Sequence, residues 1–174
     1  MAVTATFWGR VIGTSKRPLT TADLWRDPVN FFALGFGSGL APVAPGTFGT
    51  LVALPVYWWL ALLPLEIYLA CVLAASALGV WICARAGRSL QTEDHPGVVW
   101  DEICGYLIAM CAVPRSWQWM LAGFILFRVF DIVKPWPIRA ADRHVGGGFG
   151  VMLDDILAGL FTLVVLQLTI RVFL

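Results

Sequence analysis

Five carboxylates stand inside apolar stretches of this chain or at their edges. They are Asp101, Glu102, Asp131, Asp154 and Asp155. A carboxylate in an apolar run needs a partner, because burying an unpaired charge is expensive. Oxygen ligands without thiolates or paired histidines favour Mg²⁺ or Mn²⁺ over Zn²⁺. The residue types therefore indicate a site for a divalent cation, with Mg²⁺ as the expected cofactor.

Each acid also has a purely structural explanation. Four of them are predicted near helix N-termini, where a carboxylate caps backbone amides and meets the positive end of the helix dipole. Asp131 is expected in the last turn of a helix, where it would instead pair with Arg128 or Lys134, each three residues away. Neither explanation removes the mutual repulsion that five acids would have if they met at one edge of the membrane. A doubly charged cation between them would remove it.

Basic side chains lie on both sides of Asp131 along the chain and are candidates for binding a phosphate. They are Arg128, Lys134 and Arg139. Guanidinium and ammonium groups both neutralise phosphoryl oxygens, and arginine does so through two parallel hydrogen bonds. A metal, basic residues and an apolar setting together indicate phosphoryl chemistry on a lipid headgroup.

A second candidate phosphate-binding stretch is the Gly/Pro-rich segment Gly35–Leu51, GFGSGLAPVAPGTFGTL. It is too broken for a spanning helix and is predicted to be a re-entrant or surface loop. Its glycines would let amides face an anion, with Ser38 and Thr47 adding hydroxyl groups. The alternative is a tight turn with no ligand, in which Thr47 or Thr50 caps the helix that follows.

The composition places all of these residues in a membrane protein. The chain has 174 residues, of which 59% are hydrophobic and 13% charged, with a mean hydropathy of +0.80. Soluble domains are roughly 45–50% apolar and about 25% charged. The formal net charge is +1 and no lysine-rich run is present, so nucleic acid is not an expected partner. The bilayer and a phospholipid substrate are.

The apolar residues form helix-length runs and predict an all-α, polytopic helical bundle with four to five transmembrane segments. The Gly/Pro-rich loop precedes the first of them, and a short interfacial helix broken at Pro28 precedes the loop. Residues 1–28 are predicted to be an N-terminal cytoplasmic extension and residues 29–174 a single membrane domain. The predicted segments are Leu51–Leu63, which is short for a full crossing, Leu65–Ala84, Val98–Val113, Trp117–Val133 and Ile156–Leu174.

Basic residues predict the orientation of these segments. If the N-terminus is cytoplasmic and all five cross, every Lys and Arg except Arg115 and Arg171 falls on the cytoplasmic side. This arrangement puts the five acids at one depth, just inside the cytoplasmic boundary. A multi-pass protein of the inner membrane with its site facing the cytoplasm is therefore expected.

Three blocks of sequence resemble the phosphatidylglycerophosphatase A family. They are the segment Gly35–Leu51, WDEICGY at Trp100–Tyr106, and FRVFDIVKPWPIRAADR with GGFGVMLDDILAG within Phe127–Gly159. The blocks cover most of the chain between Asn30 and Leu160. The resemblance implies an Mg²⁺-dependent lipid phosphatase of the bacterial cytoplasmic membrane, which converts phosphatidylglycerophosphate to phosphatidylglycerol and phosphate. It also implies that the acids of WDE, FDIVK and LDD form the active site.

The competing class is a membrane cation transporter or channel, in which the acids line an ion pathway. Transport sites usually lie near the bilayer midplane between repeated halves. This sequence shows no internal repeat, and its acids are predicted at one edge of the membrane. Direct attack by water and a covalent aspartyl-phosphate both remain open as mechanisms.

Overall fold

The computed structural model describes residues 18–92 and 94–173, and within them the regular structure is entirely helical. Residues 1–17 of the predicted N-terminal extension lie outside the described part of the chain. The rest of the predicted extension belongs to two short helices. The all-α class predicted from the hydropathy pattern is confirmed.

The first two helices are α1 (Thr21–Arg26) and α2 (Pro28–Ala33). Thr20 donates both its backbone N–H and its hydroxyl to Asp23, which fixes the start of α1. Asp27 separates the helices and caps α2 by accepting a hydrogen bond from the Val29 amide at 3.0 Å. The predicted short helix with a break at Pro28 is therefore confirmed as a pair of helices.

The Gly/Pro-rich segment contains a 3₁₀ helix, Gly35–Leu40, and the beginning of α3 (Pro45–Leu60). Gly37 has a φ of 101°, which glycine adopts at little cost. Helix α3 starts within the predicted loop, and its N-cap residue is Ala44. The predicted cap by Thr47 or Thr50 is wrong, because both residues lie inside the helix and the Thr50 hydroxyl donates to the Gly46 carbonyl.

Two helices are long and apolar enough, by length and composition, to cross a membrane. They are α4 (Leu65–Ser89) and the span Gly147–Val172 of the last helix, α8 (Gly147–Phe173). At 1.5 Å per residue, either helix exceeds the roughly 30 Å of a hydrocarbon core. Helix α8 begins well before the predicted Ile156, so its Asp154 and Asp155 lie about two turns inside the helix. The N-terminal capping explanation for these two acids is wrong.

The remaining helices are α5 (Trp100–Ala109), α6 (Trp117–Val133) and α7 (Ile138–His144). Helix α5 has 10 residues, so it rises about 15 Å and is too short to cross a bilayer alone. Only α4 and α8 meet the criteria for spanning among the described residues. Four to five transmembrane segments therefore stays a prediction.

Helix α5 lies at the centre of the bundle and packs against α3, α4, α6 and α8. The contact with α8 is made backbone to backbone. A Cβ on Gly105 would lie 2.7 Å from the Asp155 carbonyl oxygen, and one on Gly159 would overlap the Gly105 carbonyl. Because no side chain separates the two helices, the start of α5 is held directly against the acidic turn of α8.

Candidate active site

The five predicted acids come together from three helices. Asp101 and Glu102 occupy the first turn of α5, Asp131 the last turn of α6, and Asp154 and Asp155 an inner turn of α8. They form two groups, in each of which one carboxylate oxygen per residue lies within 4.8 Å of the others. The groups are Asp101, Glu102 and Asp155, and Asp131, Asp154 and Asp155. Asp155 belongs to both, so the convergence predicted from the sequence is present as one continuous cluster.

The cluster is buried and many of its oxygens lack hydrogen-bond donors. Every acid in it except Glu102 is buried, and Glu102 is mostly so. Four carboxylate oxygens are enclosed without a partner among the described residues: Asp101 Oδ1, Glu102 Oε2, Asp154 Oδ1 and Asp155 Oδ1. Buried polar atoms are normally hydrogen-bonded, and buried charges are paired or coordinate metals. The donor set therefore fits a hard divalent cation.

Arg128 connects the two groups of acids. Its Nη1 atom lies 2.7 Å from Asp131 Oδ2, 3.9 Å from Glu102 Oε1 and 3.5 Å from the Thr50 hydroxyl. The predicted pairing of Asp131 with Arg128 is confirmed. Arg128 and the Lys134 ammonium group beside Asp154 supply two positive charges for five carboxylates, so the cluster keeps an excess of negative charge that attracts cations.

Lys134 ends α6 in a left-handed conformation, and its ion pairs are with acids other than Asp131. Its ammonium group donates to Asp154 and, at 2.8 Å, to Asp142 of α7. Burial alone would lower the pKa of Lys134, but these two carboxylates outweigh burial and raise it. Lys134 is therefore held as a cation at the edge of the cluster, where a phosphate oxygen would need a counter-charge.

Among the described residues, no hydrogen bond or ion pair joins the other predicted phosphate-binding residues to the acids. Arg139 is exposed and donates to the Val133 carbonyl at 3.2 Å. Ser38 has an enclosed hydroxyl without a partner in the described chain, and a Cβ on Gly35 would touch both it and Val99 beside the start of α5. Thr47 lies in the first turn of α3, next to Gly46.

Some amides of the glycine-rich segment are used within the chain. Five of them donate to backbone carbonyls, those of Gly37, Gly39, Ala41, Thr47 and Phe48. The prediction that amides of this segment face an anion therefore concerns its other amides. The segment also brings Gly46 against the cluster, since a Cβ there would overlap Glu102 Oε1 and approach Arg128 Nη1 to 3.2 Å.

Two residues at the site were missed by sequence reasoning. Asp142 pairs with Lys134, and Gly46 makes room for Glu102 and Arg128. The available signal for Asp142 was its position as an acid close to the basic residues Lys134, Arg139 and Arg143 along the chain. No sequence signal distinguishes Gly46 from its neighbouring glycines.

A helical chain with apolar helices of membrane-spanning length and an enclosed carboxylate cluster flanked by Arg and Lys defines a class of membrane-type proteins that handle cations and phosphoryl groups. The model of one family, phosphatidylglycerophosphatase A, matches residues 31–170, which include all five acids. The chain belongs to the phosphatidylglycerophosphatase A family, and it is an enzyme, a phosphatase.

Relatives extend this assignment over most of the chain. Phosphatidylglycerophosphatase A of Escherichia coli K12 is 44% identical over 137 residues, covering 78% of this chain and 80% of that protein. Phosphatidylglycerophosphatase A of Haemophilus influenzae is 42% identical over 154 residues, covering 87% and 94%. A Bacteroides thetaiotaomicron protein named as a candidate phosphatidylinositol-3-phosphatase is 42% identical over 142 residues, covering 76% and 87%. No solved structure matches the chain.

Proposed function

We propose that this chain hydrolyses the terminal phosphomonoester of phosphatidylglycerophosphate, giving phosphatidylglycerol and inorganic phosphate. The observation that carries the proposal is the set of enclosed, unpartnered carboxylate oxygens shared between two groups of acids. Family membership and the names of the Escherichia coli and Haemophilus influenzae relatives support the choice of substrate. The lipid's acyl chains would remain in the bilayer while its headgroup reaches the acids.

Mg²⁺ is the cofactor in this proposal, held by Asp101, Glu102, Asp131, Asp154 and Asp155. When bound, it supplies positive charge that polarises the phosphoryl oxygens and offsets the repulsion between the carboxylates and the substrate. Asp155 is the central ligand, because it is the one acid common to both groups.

The chain's own cations prepare the site for a phosphate. Lys134 and Arg128 are each fixed by an ion pair with an acid of the cluster, so little reorganisation is needed when charge develops on the phosphoryl group. In the overall reaction, water adds to phosphorus and the bond to the glycerol oxygen breaks. A carboxylate that is not needed for the cation accepts the proton from water, and the departing glycerol oxygen gains one. Glu102 is the candidate for that proton acceptor, because Asp155 is assigned to the cation as its central ligand.

The proposed location is the bacterial inner membrane, with several passes and the site facing the cytoplasm. Helices α4 and α8 supply the apolar length for crossing. The distribution of Lys and Arg in the sequence supports the orientation, because cytoplasmic segment ends carry the excess of basic residues. Helices α4 and α8 meet at Gly79 and Met152, and Met152 lies just before Asp154 and Asp155 in α8. The C-terminal end of α4, which follows Gly79, carries Arg85 and Arg88, so the acids and these basic residues would lie toward the same face of the membrane.

Phosphate release from purified protein tests the proposal. Detergent-solubilised enzyme is incubated with phosphatidylglycerophosphate, phosphatidic acid or phosphatidylinositol 3-phosphate, with Mg²⁺ or with a chelator. We expect Mg²⁺-dependent release that is fastest with phosphatidylglycerophosphate. The Asp155→Asn variant should lose this release, and the control Glu66→Gln, an exposed acid in the first turn of α4, should keep it. Absence of release together with cation flux into liposomes would favour the transporter instead.

A further inference from the structure

A second polar cavity lies at the C-terminal end of α4, and no residue of the acid cluster lines it. It has a volume of about 380 Å³ and is lined by Arg26, Asp27, Arg85, Arg88, Ser89 and Gln91. This volume falls within the roughly 300–1,000 Å³ range of small-ligand sites. Three guanidinium groups around one carboxylate give the cavity a net positive charge.

Both oxygens of that single carboxylate already accept hydrogen bonds from the protein. Asp27 accepts from the Val29 amide through Oδ1 and from Arg85 Nε through Oδ2, each at about 3 Å. The Val29 amide, and to a lesser degree Arg85, hold the pKa of Asp27 below its usual value, so it remains ionised. Neither Arg26 nor Arg88 forms an ion pair with any residue in the described ranges. Their charges are therefore available to a ligand.

Ser89 adds an oriented hydroxyl donor to the cavity. Its Oγ accepts a hydrogen bond from Asn30 Nδ2 at 3.1 Å, and Asn30 is fully buried and also donates to the Asp23 carbonyl. Because the Ser89 oxygen is occupied as an acceptor, its O–H proton is free to point to another acceptor. Apart from Asp27, the side chains around the cavity therefore offer donors suited to phosphate oxygens.

The surroundings of the cavity match the surface of a bilayer. Trp25, next to Arg26, is 71% exposed, and Trp81, one turn before Arg85, is 53% exposed. Tryptophan prefers the membrane–water interface, where its ring has apolar and polar neighbours. Leu78, three residues before Trp81 on the same side of α4, is 52% exposed. Acyl chains beside Leu78 and Trp81 would place a headgroup beside the arginines.

We propose that the cavity formed by Arg26, Arg85, Arg88 and Ser89 binds the phosphate of an anionic phospholipid from the bilayer, at a site separate from the acid cluster. The occupant is a lipid rather than a soluble anion, because Trp25, Trp81 and Leu78 expose apolar surface beside the arginines, which acyl chains would cover and a soluble anion would not. Arg88 and Arg26 supply the uncompensated charge, Ser89 supplies a hydroxyl donor, and Arg85 stays anchored by Asp27.

Competitive lipid binding tests the inference. Purified protein with chelator present is mixed with equal amounts of dioleoylphosphatidylglycerol and dioleoylphosphatidylcholine, and native mass spectrometry counts the lipids retained. Wild type should retain phosphatidylglycerol over phosphatidylcholine, and Arg26→Gln with Arg88→Gln should reduce that preference roughly tenfold. The control Arg143→Gln with Arg171→Gln removes the same charge from other exposed positions and should keep the preference. Arg88→Gln alone gives a second, milder variant, and thermal unfolding checks that each variant folds.

The inference is overturned if the Arg26 and Arg88 variant keeps the preference, or if the control loses it to the same extent. It is also overturned if excess sodium phosphate displaces the lipid as effectively as added phosphatidylglycerol does, because the cavity would then bind soluble anions. Phosphate release by the Arg26 and Arg88 variant at saturating substrate should stay within about twofold of wild type. Failure of the proposed reaction would instead appear as no phosphate release by any form of the protein.

Discussion

At the C-terminal end of α5, buried polar side chains are paired with backbone carbonyls, whereas at its N-terminal end buried carboxylates lack donors. The Tyr57 hydroxyl donates to the Val113 carbonyl at 2.9 Å, and the Tyr106 hydroxyl to the Met120 carbonyl at 3.0 Å. Gln167 likewise donates to the carbonyls of Cys111 and Ala112 beyond the end of the helix. These hydrogen bonds hold the connection between α5 and α6 against the rest of the bundle.

This difference in hydrogen bonding suggests that the polar residues at the C-terminal end of α5 stabilise the fold, whereas the acids at its N-terminal end serve the proposed activity. Leaving a buried donor or acceptor unpaired costs about 1–3 kcal/mol, and more when the group is charged. The tyrosine end avoids that cost inside the chain, so its polar atoms need no ligand. The acid end retains the cost, which a cation and a phosphate would offset. Substitutions at the two ends should therefore have opposite effects on stability and activity.

The largest effect is expected for Asp155→Asn. Because Asp155 belongs to both groups of acids, its loss should reduce phosphate release by about a thousandfold, or roughly 4 kcal/mol of transition-state stabilisation. In chelator the variant should unfold at the same temperature as wild type or higher, since one repelling charge is gone. Phosphate assays and thermal unfolding measure the two effects. Activity close to wild type would show that the acid end is structural, like the tyrosine end.

Mg²⁺ should stabilise the folded protein. A ligand that binds only the native state at 100 times its Kd adds about 2.7 kcal/mol to the free energy of unfolding. We expect a rise in Tm on adding Mg²⁺ to wild type, a much smaller rise for Asp155→Asn, and an unchanged rise for Tyr57→Phe. An equal rise in all three proteins would mean that Mg²⁺ acts elsewhere on the chain.

Gly46→Ala should reduce activity about tenfold, or roughly 1.4 kcal/mol, with the fold retained. The added Cβ would overlap Glu102 Oε1 and lie 3.2 Å from Arg128 Nη1, so both side chains must shift. Kinetics with varied Mg²⁺ measure this effect, and Gly146→Ala is the matched control because its Cβ meets no atom within 4 Å. Equal losses in both variants would assign the effect to backbone flexibility rather than to the cluster.

The smallest effect is expected for Tyr57→Phe. Removing the hydroxyl leaves the Val113 carbonyl without its partner and should lower the free energy of unfolding by about 1 kcal/mol. Phosphate release at a temperature where the variant is folded should remain that of wild type. A large loss of activity without loss of stability would contradict the division between the two ends.

The site was more predictable from the sequence than the helix boundaries were. Acids in apolar runs can be stable only if they share a counter-charge, so the convergence of Asp101, Asp131 and Asp155 followed from the cost of burial. The start of α8 did not follow from propensity, because glycine is unfavourable inside a helix by about 1 kcal/mol. Gly148 lies in α8 because it packs on α4, where a Cβ would overlap the Val80 carbonyl. Such tertiary packing is not visible in a single sequence.

Arg139 shows a different limit of prediction. Its place five residues after Lys134 predicts that both basic side chains bind the phosphate. The chain between them leads into α7, in which Ile138 is buried, Asp142 pairs with Lys134 and Arg139 is exposed. Nearness in sequence therefore did not give the two basic side chains the same surroundings, and a role of Arg139 in binding phosphate stays a prediction.

The backbone contact between α5 and α8 at Gly105 and Gly159 also limits how far the distances between the acids of these two helices can change. The two main chains are in direct contact there, so no side chain can change its rotamer to adjust the distance between the helices. The separation between Asp101 on α5 and Asp155 on α8 therefore follows from the positions of the helix axes. A larger residue at either glycine would displace a whole helix rather than a side chain. The spacing of these carboxylates is therefore fixed by two residues that carry no side chain.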